Sequence, residues 1–105
     1  MKVVRNKVIP FKGFKAINIC GVLFVRTSVH VSKEMLNHER IHTAQMKELI
    51  YVLFYMLYLI EWLLRMLWYR DFKKAYRNIS FEKEAYANEH DETYLNARSR
   101  FAWMF

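Results

Sequence analysis

The segment LIYVLFYMLYLIEWLLRMLWY, from Leu49 to Tyr69, is the longest apolar stretch of this 105-residue chain. Only Glu61 and Arg65 interrupt it, and because they stand four positions apart they can pair on one face of a helix. A helix that is apolar all round must be buried by something. We therefore predict that this segment forms the central core helix of a small domain.

Two other partners can bury the same helix. Aromatic side chains recur along one stripe of it at helical spacing, so a second copy of the chain can cover it and form a homodimer through the apolar helix. A membrane surface is the other alternative, because the whole segment reaches roughly the 20 residues that span a bilayer. Spanning would, however, place its two charged residues inside the hydrocarbon, where charges are costly.

Helices are also predicted on both sides of this segment, because the chain contains no Gly or Pro from residue 22 onward. Ser32 can cap a helix over residues 33–47 by accepting a hydrogen bond from a backbone amide of the first turn. Ser80 can begin a last helix over residues 81–98 in the same way. These positions predict three helices in all.

The residues before the first helix predict short strands. Pro10 and Gly13 indicate one turn, and Gly21 indicates a second turn or a bulge. The alternating segments between them predict a small antiparallel sheet of two to four strands. The fold class is therefore α+β, with a small antiparallel sheet at the N-terminus followed by three helices.

Charge is concentrated in the predicted strand region. The first 33 residues hold seven basic and no acidic side chains, which equals the net charge of +7 for the whole chain. A basic surface can meet nucleic acid, an anionic membrane or an acidic partner. Nucleic acid is not expected, because no zinc finger, aromatic RNP strand or Gly-rich phosphate loop accompanies the charge. The single cysteine, Cys20, excludes an internal disulfide framework and a Cys-based metal site.

The N-terminus lacks the apolar core and the small-residue cleavage site of a secretory signal. We therefore expect a cytoplasmic protein, with membrane association of the apolar helix as the alternative.

The sequence His38-Glu39-Arg40-Ile41-His42 is an HExxH motif. Residues four apart lie on one helix face, so the imidazoles of His38 and His42 can reach one ion. Glu39 is turned about 100° away, where it can take a proton from a metal-bound water and pass it to a leaving amine. Zn²⁺ suits such a site, because imidazole and carboxylate ligands leave a fourth position open for that water.

A third ligand must come from elsewhere. Gln45 and Glu48 stand where a metzincin would have Gly and His, so a third ligand from the same helix is excluded. The later segment SFEKEAYANE, residues 80–89, offers two carboxylates, Glu82 and Glu84. Helical spacing does not decide between them. The carboxylate that does not bind the ion can orient a histidine instead.

Two short patterns resemble a known family. HERIHTAQ (His38–Gln45) and EKEA (Glu82–Ala85) are similar to the HExxHxxQ and ExEA patterns of small bacterial members of the gluzincin group of zinc metallopeptidases. The resemblance covers about residues 16–97. It implies a minimal zincin-like fold, a Zn²⁺ cofactor, and a peptide or protein substrate hydrolysed through a zinc-bound water with Glu39 as general base.

The resemblance leaves the third ligand open. The ExEA form favours Glu82, whereas Ala87 and Asn88 fit the residues that usually follow the gluzincin glutamate if Glu84 is the ligand. It also implies that a strand before the motif helix, over Val22–Arg26, aligns an extended substrate.

Three further residues are candidates to orient the ligands or contact substrate. Gln45 lies one turn beyond His42 on the motif face, Asn88 follows the glutamates on the last helix, and Tyr86 can donate a hydrogen bond to a developing oxyanion.

The expected organisation is one zincin-like domain over residues 1–105. It comprises a basic strand region (1–31), the motif and apolar helices (32–69) and the glutamate helix (80–98). The alternative function is a non-catalytic module that binds a membrane or a protein, with a structural metal or none.

Overall fold

A computed structural model describes residues 1–9 and 14–104 of the chain. Within these ranges a three-stranded sheet at the N-terminus is followed by five α-helices and one 3-10 helix, which confirms the α+β prediction. The turn predicted at Pro10 and Gly13 lies outside the described residues. The elements are β1 (Lys2–Asn6), β2 (Ala16–Ile19), β3 (Val22–Arg26), α1 (Lys33–Glu48), α2 (Val52–Tyr69), α3 (Phe72–Arg77), α4 (Ser80–Asn88), α5 (Tyr94–Ala97) and the 3-10 helix (Ala102–Met104).

The sheet has the strand order β1-β3-β2. β2 and β3 are antiparallel and are joined by Cys20 and Gly21, whose φ angles of 50° and 90° match the two-residue turns that connect right-twisted strands. β1 pairs with β3 in parallel. The prediction of an antiparallel sheet is therefore correct for β2–β3 and wrong for β1–β3, because the chain crosses from one edge of the sheet to the other after β1.

Strand β3 lies in the centre of the sheet and pairs along both of its edges. An extended peptide adds to a sheet through an unpaired edge. The expectation that a substrate aligns along Val22–Arg26 is therefore wrong, because β1 and β2 already occupy those edges.

Helix α1 begins as predicted. The backbone amide of Met35 donates to Oγ of Ser32 over 3.1 Å, which satisfies one of the amides left unpaired at a helix start. The helix ends at Glu48, and the chain then turns through Ile50 and Tyr51, both of which have positive φ. This turn directs α2 back across α1.

Helix α2 buries only one of its sides. Phe54 lies in a core cluster with Met46, Ile79 and Phe81, and the next residues along the same side pack against that cluster. Phe54 is the only buried residue of this helix, so the prediction of a central core helix is wrong. The physical reason is that α1, α3 and α4 all contact the side of α2 that carries Phe54, Tyr58 and Trp62. Within the described residues α2 is also the one helix long and apolar enough to cross a membrane.

The two charges of α2 lie on its inner side. Nη2 of Arg65 is 3.6 Å from Oε1 of Glu61, so the predicted pair forms. The backbone amide and the hydroxyl of Ser80 both donate to the same Glu61 oxygen, over 2.8 and 2.6 Å. Glu61 therefore holds the start of α4 against α2.

The last predicted helix, 81–98, is wrong in its extent, and its residues form α4 and α5 separately. Helix α4 ends at Asn88, where the side-chain amide of Asn37 donates to the backbone carbonyls of Asn88, Glu89 and Asp91. These bonds satisfy carbonyls that a helix end leaves unpaired. Helix α3 was not predicted. It begins at Phe72 and is capped by Asp71, whose carboxylate accepts a hydrogen bond from the backbone amide of Lys74.

Candidate metal centre

Three side chains from two helices meet at one point between α1 and α4. Nε2 of His38 and Nε2 of His42 lie 3.0 and 3.1 Å from Oε1 of Glu82, and the two nitrogens lie 3.1 Å from each other. Neighbouring ligand atoms around a tetrahedral zinc ion are about 3.3 Å apart, given bonds of about 2.0 Å. The three atoms are thus spaced as one small cation requires, and the cluster can hold a metal ion.

All three side chains are removed from solvent. His38, His42 and Glu82 are 7%, 5% and 3% exposed. Burial raises the pKa of Glu82, but the neighbouring imidazoles and the hydroxyl of Tyr58 outweigh that effect and hold the pKa well below its usual range. The carboxylate is therefore ionised and needs a cation beside it.

In the metal-free chain a proton can be that cation. Burial lowers the pKa of His42, but the charge of Glu82 and the hydrogen bond to it outweigh burial and raise the pKa to about 9. At neutral pH the His42 Nε2 proton therefore lies between the two imidazoles and the carboxylate. A metal ion would replace that proton at the same place.

The outer nitrogen of each histidine also has an acceptor. Nδ1 of His42 lies 2.8 Å from Oε1 of Gln45, and Nδ1 of His38 lies 3.2 Å from Oε1 of Glu89. When the ring nitrogen opposite the ion donates to such an oxygen, the inner nitrogen keeps a lone pair for the metal. Both histidines are thus oriented as ligands.

The second oxygen of Glu82 is held from α2. The hydroxyl of Tyr58 donates to Oε2 of Glu82 over 2.6 Å. Because this bond fixes the rotation of the carboxylate, Oε1 faces His38 and His42.

Glu84 lies elsewhere. Its carboxylate accepts hydrogen bonds from Tyr94, from the Gln45 amide and from the guanidinium of Arg98. Burial raises the pKa of Glu84, but these donors outweigh it and lower the pKa below the ordinary value. Of the two candidate glutamates, the structure therefore brings Glu82 to the histidines and places Glu84 behind Gln45.

The carboxyl of Glu39 belongs to the same neighbourhood. Burial raises its pKa, while the nearby imidazoles of His42 and His38 oppose the rise. Its backbone carbonyl accepts from the side chains of Asn18 and Thr43, over 3.0 Å in each case. Strand β2 is thereby attached to the turn of α1 that carries the HExxH motif.

Of the remaining predicted site residues, Tyr86 lies beside the cluster and Asn88 does not. Tyr86 packs the edge of its ring against His38 with centroids 4.5 Å apart, and its hydroxyl lies 3.5 Å from that of Tyr76. Asn88 is not brought to the cluster, because its side-chain amide donates to the backbone carbonyl of Glu84 within α4.

Sequence reasoning missed the residues that support the cluster from other elements. Of these residues only Glu89 could have been identified from the sequence. Seven positions separate it from Glu82, so two helical turns bring both side chains to the same face of the helix. No sequence spacing relates the other supporting residues to the motif, since tertiary packing brings them in. They are Asn18, Asn37, Tyr58 and Arg98.

Compared with protein-family models, with curated proteins and with solved structures, the chain matches none of them. What the site can do therefore follows from its own atoms. They define a small α+β protein with a buried His-His-Glu cluster that can hold a metal ion.

Proposed function

We propose that the chain is a zinc-dependent metallopeptidase of the gluzincin type, which hydrolyses a peptide bond in a peptide or protein substrate. The observation that carries the proposal is the convergence of His38, His42 and Glu82 within 3.1 Å of one another, next to the carboxyl of Glu39. Two imidazoles and one carboxylate form the ligand set of catalytic zinc sites that keep a fourth position open.

Zn²⁺ bound at this cluster would lower the pKa of a water molecule and polarise the scissile carbonyl. Glu39 would take the proton from the attacking water and deliver it to the leaving amine. Burial raises the pKa of Glu39, which suits a group that must both accept and return a proton. Gln45 and Glu89 hold the two imidazoles in place while this proton moves.

Two measurements test this proposal in sequence. Elemental analysis of protein purified without added metal should find about one zinc per chain, and His38→Ala should abolish it. Hydrolysis of a mixed peptide library, followed by mass spectrometry, should then be about 10²–10⁴-fold slower in Glu39→Gln, which removes the proton acceptor. Glu39→Gln should retain zinc. A chain without zinc, or a Glu39→Gln variant as active as the wild type, would exclude the proposal.

A second candidate is a non-catalytic module with a structural ion. The near-complete burial of the three side chains favours it, because structural zinc sites are closed to solvent. In that case His38→Ala would lower thermal stability and Glu39→Gln would change neither zinc content nor any hydrolysis. The peptide-library assay therefore separates the two candidates.

A further inference from the structure

The outer face of α2 is the largest feature that the proposed active site does not use. We define it as ten large apolar residues, each at least 39% exposed, with no polar residue among them. Large exposed apolar patches mark surfaces that bind proteins, ligands or membranes. Its members are Val52, Leu53, Met56, Leu57, Leu59, Ile60, Leu63, Leu64, Leu67 and Trp68.

The outer face is too wide for one partner helix. At 100° per residue, its members cover about half of the helix circumference, whereas one partner helix in a coiled coil covers only the narrow seam of a and d positions. It also lacks the small residues that let a second helix approach closely. Acyl chains can cover an apolar face of any width.

Exposed cations precede and follow α2 in the chain. Lys47 is exposed in the last turn of α1, just before the turn into α2. Arg70 is exposed at the C-terminal end of α2, and Lys73 and Lys74 are exposed on α3. Trp68, 80% exposed, occupies the last turn of the helix. Lysine, arginine and tryptophan around an apolar helix face are typical of helices that lie in an anionic membrane interface.

The inner side of α2 opposes a transmembrane arrangement. Helices α1, α3 and α4 pack along it, and Glu61 there binds Arg65 and the start of α4. A helix that crossed the bilayer would draw these polar elements into the hydrocarbon with it.

We propose that the outer face of α2 inserts into the headgroup and upper acyl region of an anionic bilayer, with the helix parallel to the membrane plane. The rest of the domain then lies on the aqueous side. This inference does not depend on the proposed peptidase activity.

Flotation with phosphatidylcholine vesicles, with and without phosphatidylglycerol, tests the proposal on the full chain. We expect binding to the anionic vesicles that weakens as salt is raised. Leu67→Gln should weaken it by about tenfold or more, because an exposed leucine that enters lipid contributes that much to partitioning. Val8→Gln is the matched control, because Val8 is 76% exposed and Leu67 is 77% exposed. Circular dichroism should show that both variants keep their helical content.

A second variant, Ile60→Trp combined with Trp68→Phe, reports the depth of the helix centre when it is compared with Trp68→Phe alone, because both variants retain Trp62 and Trp103. Lipids brominated near the glycerol backbone should quench the fluorescence added at position 60 more strongly than lipids brominated near the bilayer centre. Strongest quenching at the bilayer centre would show a transmembrane helix and overturn the proposal. Absence of binding to the anionic vesicles would also overturn the proposal. A dimer in analytical ultracentrifugation that Leu67→Gln dissociates would then assign the outer face to a second copy of the chain.

Discussion

The side-chain oxygen of Gln45 lies 2.8 Å from Nδ1 of His42, and this contact decides which nitrogen of the imidazole faces the cluster. The amide nitrogen of Gln45 donates to the carbonyl of Phe81 and to Glu84, so its oxygen must be the atom that turns to His42. Nδ1 of His42 therefore carries a proton, and Nε2 points at Glu82. Gln45 is a positioning residue for the candidate metal centre.

Gln45→Met should reduce zinc affinity by about 10–100-fold, because the outer acceptor of a ligating histidine contributes that much. Competition with a chromophoric chelator measures the change. Lys47→Met, an exposed position on the same helix, is the matched control and should bind zinc as the wild type does. Equal affinities of the two variants would show that Gln45 does not orient His42.

Glu82→Gln should chiefly weaken zinc binding, whereas Glu84→Gln should chiefly lower the stability of the fold. Glu82→Gln removes the anionic ligand atom, so zinc binding should fall below that of the Gln45 variant. Glu84→Gln should retain zinc within about tenfold, yet lower the free energy of unfolding by about 1–3 kcal/mol, because Arg98 loses a charged acceptor. Urea unfolding in the presence of a chelator measures the second effect. Retention of zinc by Glu82→Gln and its loss from Glu84→Gln would reverse the assignment.

Zinc binding should depend on pH through His42. The ion must displace the proton of an imidazole whose pKa is raised to about 9, chiefly by Glu82 acting against burial. Apparent zinc affinity should therefore rise about tenfold per pH unit above pH 7 and level off near pH 9. Glu82→Gln should flatten this dependence, since it removes the charge that raises the pKa. An unchanged slope in that variant would show that another group binds the proton.

The metal-free chain should show the complementary dependence in its stability. The pKa of His42 rises on folding from 6.5 to about 9. The stability that this rise contributes is complete below pH 6.5 and is lost as the pH rises to about 9. The lowered pKa of Glu82 contributes stability above 4.5 that is lost as the pH falls. The thermal midpoint with chelator present should therefore be highest between about pH 4.5 and 6.5, as far as this pair determines it.

Gly21→Ala should lower the free energy of unfolding by about 1–2 kcal/mol, because a φ of 90° disfavours any residue with a Cβ. The added carbon would also lie 3.4 Å from Cγ2 of Thr43, on the motif helix. Urea unfolding measures the loss, with Ser28→Ala at an exposed turn position as the control. A Gly21→Ala variant as stable as the control would mean that the turn relaxes to another conformation.

The parts of the site that could be predicted from the sequence are those encoded within one helix. The cap at Ser32 and the four-residue spacing of His38 and His42 depend on local geometry alone, and the structure shows both. The choice between Glu82 and Glu84 could not be predicted. Two positions turn a side chain by about 200° around α4, and only the packing of α4 on α1 decides which one faces the histidines.

The errors in the fold have a common physical origin. An apolar segment indicates that a helix must be covered, but its composition does not say by what, so α2 was wrongly assigned to the core. Strand alternation likewise carries no information about direction, so the parallel pairing of β1 with β3 could not be derived from it. The burial of α2 and the direction of β1 relative to β3 both depend on where distant segments of the chain lie.

The hydroxyl of Tyr55 accepts from the amide of Cys20 over 2.8 Å and donates to the carbonyl of Asn18 over 3.0 Å. The side-chain amide of Asn18 in turn donates to the backbone carbonyl of Glu39. The hydroxyl of Tyr55 therefore connects helix α2, through Asn18, to the turn of α1 that bears Glu39, the proposed general base. A shift of that helix, when it docks or is pulled away, would be transmitted through two hydrogen-bonded residues to the position of Glu39.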